Sequence, residues 1–146
     1  MTRRVLASVV LLLTVGSGCA APIDSTVQPS TGDPSAIAHQ LTRALAVADP
    51  ASFEAAFAGT QAAQFLADRL WRNLSQFTDP TISADDDVLS VTWHVHGDVR
   101  PAVDVLSARW VDSPDGERRL ASLAPVADRR VPLWFADDLT VVATPG

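Results

Sequence analysis

The 146-residue chain has no lysine, no tyrosine and a single cysteine, Cys19. One thiol forms no intramolecular disulfide, so a domain of this size holds together by packing alone. With no tyrosine, no phenol is at hand as a general acid. All 11 basic residues are arginine, set against 17 acidic residues, and the formal net charge is −6. Such a surface disfavours nucleic acid and anionic lipid as partners, because both are polyanions. Also missing are the H-E-x-x-H metal helix, the G-x-S-x-G nucleophile elbow, the Gly-rich phosphate loop and the dinucleotide fingerprint. The sequence names no catalytic residue, no metal set and no cofactor, and it leans towards a domain that binds over one that catalyses.

What is present begins with an export signal. Arg3 and Arg4 give a positive start, Val5 to Val15 form a mostly apolar run, and Gly16-Ser17-Gly18-Cys19 follows as a small-residue cleavage site. A membrane-spanning helix needs about 20 apolar residues, more than this run supplies. The segment resembles a bacterial lipobox: Ser17, Gly18 and Cys19 match its pattern, whereas Gly16 stands where a larger aliphatic residue is usual. That resemblance implies a signal peptide over 1–18 and a lipid on the Cys19 thiol. The mature protein would then sit on the extracytoplasmic face of the cell membrane through this lipid anchor. Thr2-Arg3-Arg4-Val5-Leu6 is also similar to a twin-arginine signal, which leaves the export route open. A plain secretory signal cut at Pro22, releasing a soluble product, is the alternative. Loss of Arg3 and Arg4 leaves 9 basic against 17 acidic side chains and a net of −8.

Residues 19–32 are polar and rich in Pro, Ser and Thr, the composition of a flexible tether with roughly 20 Å of reach. A single domain is expected over 33–146. Asp33-Pro34 caps a first helix carrying Ile37, Leu41 and Leu45, and Asp49-Pro50 opens a short second one with Phe53 and Phe57, closed by Gly59. Leu66, Leu70, Leu74 and Phe77 form one stripe on a third helix from about Thr60 to Phe77. Beyond Asp79-Pro80 the period becomes two, with Leu89, Val91, Trp93 and Val95 on one face and Ser90, Thr92, His94 and His96 on the other. Further strands are expected over 102–111, 120–126, 131–135 and 139–143, with Asp112-Ser113-Pro114-Asp115-Gly116 as a turn. The fold class is α+β, three N-terminal helices packed on a curved antiparallel sheet.

That order of elements resembles the NTF2-like, or SnoaL-like, cone fold, with Ala46-Asp49-Pro50-Phe53-Phe57 as its most similar local piece. The resemblance implies a pocket between helices and sheet; relatives that isomerise or dehydrate there pair a tyrosine with a carboxylate, and this chain has no tyrosine. Leu70-Trp71-Arg72-Asn73-Leu74 and Pro132-Leu133-Trp134-Phe135 look like the N-terminal region of actinobacterial exported lipoproteins that continue into a longer, sometimes metallopeptidase-like part. Pro145-Gly146 is turn chemistry with no returning strand, which agrees with that alternative.

Candidate site residues are few. His94 and His96 occupy alternate strand positions and would project from one face, where Asp98 or Asp104 would have to complete a metal set. Two ligands are not a site, and a polar, half-exposed strand face accounts for both histidines, so no metal is expected. Asp85-Asp86-Asp87 and Asp137-Asp138 read as hydrophilic turns; neither has the alternating ligands and closing Glu of a calcium loop. Trp93 and Trp110 fall on successive strands; core packing accounts for them first, since Trp93 belongs to the apolar face of its strand. As the alternative they are, with His94 and His96, the candidate lining of a ligand pocket. The expected function is a membrane-anchored lipoprotein whose non-catalytic domain binds a protein partner, or a small apolar ligand in the cone pocket.

Overall fold

A computed structural model describes residues 32–142, so the signal, Cys19 and nearly all of the tether lie outside the described residues. The first helix, α1 (Pro34–Ala46), starts where Asp33 accepts a hydrogen bond from the Ser35 amide at 3.0 Å and Pro34 presets the first turn. Ile37, Ala38, Leu41 and Ala44 recur at helical spacing and are all buried. It ends in a Schellman closure: the Asp49 amide donates to the Ala44 carbonyl at 2.9 Å, and Ala48 takes a left-handed φ of 54°. Asp49 then caps α2 (Pro50–Glu54), accepting from both the Ser52 amide and the Ser52 hydroxyl. Thr60 caps α3 (Gln61–Leu74), which buries Ala63, Ala67, Leu70, Asn73 and Leu74. Phe77 lies past the end of this helix, in the turn that follows it.

Four strands follow as an antiparallel meander in chain order: β1 (Thr78–Asp85), β2 (Val88–His94), β3 (Ala102–Asp112) and β4 (Arg118–Pro125). Thr78–Asp85 forms a full strand ahead of the alternating segment that the sequence pattern marks. Its sequence, Thr-Asp-Pro-Thr-Ile-Ser-Ala-Asp, alternates, with Pro80, Ile82 and Ala84 turned inward, but only Ile82 is fully buried and the apolar face is small. Asp86-Asp87 is the tight β1–β2 turn, with Asp86 left-handed at φ 47°, and Gly116 supplies the left-handed residue of the β3–β4 turn at φ 83°.

Helices pack on one face of this sheet. Ile82, Val91 and Asp104 form one inward row, with Leu89 paired to Leu106 in the next. Phe53, Phe57, Leu41, Leu74 and Trp134 close over them, and the space between helices and sheet is filled, leaving a void of only about 10 Å³. A void of that size barely admits one water. Thr81, Ser83, Val103 and Ser107 face outward and are exposed.

Both outer strands are guarded. On β1, the Thr42 hydroxyl accepts from the Ile82 amide at 2.8 Å and donates to its carbonyl at 3.1 Å. On β4, Leu120 exchanges backbone hydrogen bonds with Ala56 and Ala58. Capping of this kind blocks edge-to-edge association.

The strands expected at 131–135 and 139–143 are not present among the described residues. Pro132-Leu133-Trp134-Phe135 opens a one-turn helix, α4 (Leu133–Ala136), and 137–142 runs on as an extended strap. The apolar run misled because it buries Pro132 and Trp134 while Val131 and Leu133 remain 42% and 68% exposed, the pattern of a single helical turn.

Candidate functional site

The strap is held to α3 by side-chain amides. Asn73 is fully buried; its Nδ2 donates to the Trp134 carbonyl at 2.7 Å and the Asp137 carbonyl at 2.8 Å, and its Oδ1 accepts from the Leu139 amide at 2.9 Å. One turn on, Gln76 donates to the Leu139 carbonyl at 2.8 Å and accepts from the Val141 amide at 2.9 Å. Two amide side chains thus act as a short pairing strand. Arg72 adds a bond from outside, reaching Asp138 at 3.0 Å and Asp68 at 3.1 Å. The hydrogen bond to Asp138 and the charges of both aspartates raise the Arg72 pKa further above its ordinary value.

Between strap and sheet lies a cleft of about 220 Å³. The sheet side gives Phe77, Trp93 and Val95; α4 and the strap give Leu133, Trp134, Leu139, Thr140 and Val141, with Arg130 at the mouth. Strand alternation puts Trp93 on the same side of β2 as the buried Leu89 and Val91, and Val95, just past the strand's end, joins it in the lining. Phe77 stacks on Trp93 with ring centroids 4.3 Å apart and planes 25° from parallel.

Behind the cleft sits the one buried carboxylate among the described residues, Asp104. Trp93 pairs directly with Ala102, so Asp104 is its diagonal neighbour, two residues further along β3. Both indoles of the cleft converge on a single atom: Trp93 Nε1 donates to Asp104 Oδ2 at 2.7 Å and Trp134 Nε1 at 2.8 Å. Oδ1 receives no hydrogen bond from a described residue. A carboxylate oxygen has the lone pairs to accept both N–H groups at once.

The other candidate residues stand elsewhere. Trp110 donates to the Asp86 carbonyl at 2.7 Å and lines a separate groove with Arg109 and Arg118, so Trp93 and Trp110 share no pocket. Trp93 pairs with Ala102, eight residues before Trp110 on β3, so the two indoles stand far apart along the sheet. β2 ends at His94, which is half-buried opposite Thr78; His96 lies beyond, exposed in a turn. The expected common face of the two imidazoles therefore stops one residue short of His96. Neither histidine lines the cleft, and no group of three His, Cys, Asp or Glu side chains is placed to hold a metal among the described residues. Asp104 is engaged by two indoles and by no histidine.

Sequence reasoning gave Trp93 but not Phe77, Trp134 or the role of Asp104. The available signal was Asp104 itself, which shares a strand face with Leu106 and Ala108 where an apolar residue would be expected. Comparison with family models, with curated proteins and with solved structures gave no match to this chain.

Proposed function

We propose that this chain is an exported lipoprotein, anchored through Cys19, whose α+β domain is a non-catalytic binding module for a small ligand. The observation that carries the reading is the cleft at Trp93: about 220 Å³, mostly apolar, walled by three aromatic rings and open at Arg130. Its volume is below the roughly 300 to 1,000 Å³ of sites for drug-sized molecules, so the ligand is a small one. We read the domain as a variant of the NTF2-like cone, a reading supported by helices followed by an antiparallel meander. In this variant the interior is packed and the site lies at the rim, between β2 and the strap.

Two measurements test the proposal. Labelled palmitate is expected to enter the wild-type chain in its own host and to be absent from Cys19→Ser, which should move from membrane to medium. Native mass spectrometry of chain purified from that host should show a bound small molecule. The Val95→Trp variant, which fills the cleft, should lose it. A consistently empty wild-type protein, or an unlabelled one found wholly in the medium, overturns the corresponding half of the reading.

A further inference from the structure

We infer that the cleft is selective for a small organic cation, a protonated or quaternary amine on an apolar body, with Asp104 as its counter-ion. This rests on the binding-module reading and adds the ligand's charge. A buried carboxylate is stable only when its charge is compensated, and Asp104, 9% exposed, has no Arg or His partner among the described residues. Two indole N–H groups satisfy Oδ2, while Oδ1 accepts from no described residue and keeps contact with solvent. A cationic ligand supplies the missing charge.

The walls suit such a ligand for a second reason. Trp93 and Trp134 both line the cleft, and both point their N–H groups away from it at the carboxylate. Donating to an anion polarises each indole towards its ring face, and the ring face is what attracts a cation. Phe77, stacked on Trp93, completes an aromatic wall. Space for about seven waters, at about 30 Å³ each, matches a benzylamine-sized molecule.

Among the described residues, Arg130 is the only basic group of the lining, and it opposes this selectivity. It is exposed, so water and salt screen its field, whereas the field of Asp104 acts through packed protein. The acidic chain, with a net charge of −6, adds a long-range pull in the same direction as Asp104.

The test is a titration of the full-length chain, in nonionic detergent, with benzylamine, benzyl alcohol and benzoate, read by calorimetry and by the indole N–H resonances. Benzylamine should bind at least about tenfold tighter than benzyl alcohol, a difference of about 1.4 kcal/mol, with benzoate weakest. Asp104→Asn should bring the ratio of benzylamine to benzyl alcohol close to one. In the wild type, benzylamine should shift the Trp93 and Trp134 indole signals, a readout that stands even if the Asn variant fails to fold. Equal affinity for benzylamine and benzyl alcohol overturns the charge selectivity and leaves the apolar site intact. Tighter binding of benzoate makes Arg130 the counter-ion and overturns the inference, and saturable binding of none of the three overturns both readings. Shifts confined to Trp71 and Trp110 place the site elsewhere and overturn it equally.

Discussion

Ala48 holds a conformation that favours glycine. Its φ of 54° closes α1, and an L side chain in that region costs about 1 to 2 kcal/mol. Ala48→Gly should therefore raise stability by up to about 1 kcal/mol, after the entropy glycine adds to the unfolded chain, as a higher urea midpoint. Asn73→Ala should act in the opposite direction. It strips partners from two carbonyls and one amide around a buried site, and a loss of about 3 kcal/mol is expected in the same assay. The sequence gives little notice of either residue. Ala48 looks like one more alanine in an alanine-rich helix, and the partners of Asn73 lie more than 60 residues away. Asp104 is different, since an aspartate in step with Leu106 and Ala108 breaks its strand's pattern in plain view.

α1, α2 and α3 were legible in the sequence because each carries its own start signal: Asp33, Asp49 and Thr60 all accept the capping hydrogen bond that their residue type suggests, whereas α4 has none. β2 was legible through its alternation. β1 was harder to read, because its inward side chains are Pro80, Ile82 and Ala84, of which Ile82 alone is large and fully buried. The strap was misread for another reason, as its backbone pairs with the amides of Asn73 and Gln76 and with no strand. Gln76→Ala should thus speed hydrogen exchange at the Val141 amide while Val91 and Leu106, in the centre of the sheet, keep their protection. Thr42→Val, nearly the same shape, leaves the Ile82 amide and carbonyl unpaired at an edge. A loss of about 1 to 2 kcal/mol is expected, with faster aggregation seen by light scattering.

Across the whole molecule, acid is the expected route to unfolding. Hydrogen bonds from Ser52 hold Asp49 below the ordinary carboxyl value of 3.8, and the Glu117 amide, with Arg119 in support, does the same for Asp115. A carboxyl that is more acidic when folded binds more protons when unfolded, so its contribution is complete above the ordinary value. It fades as pH falls through the lowered one. The urea midpoint should be flat from about pH 7 to about pH 5 and fall below about pH 4, with a shallower fall in Asp49→Asn and Asp115→Asn. The same whole-chain view gives the strap a meaning in time. A polypeptide is made from its N-terminus, and Asn73 meets partners that follow it by 61 to 66 residues. Until Leu139 has emerged, a buried amide in α3 has nothing to bond, Trp134 is missing from the core, and Asp104 lacks one of its two indoles. The first hundred residues can collapse and begin to pair, but the last step of folding waits until the strap is available. The cleft between strap and sheet is therefore the final part of the domain to form.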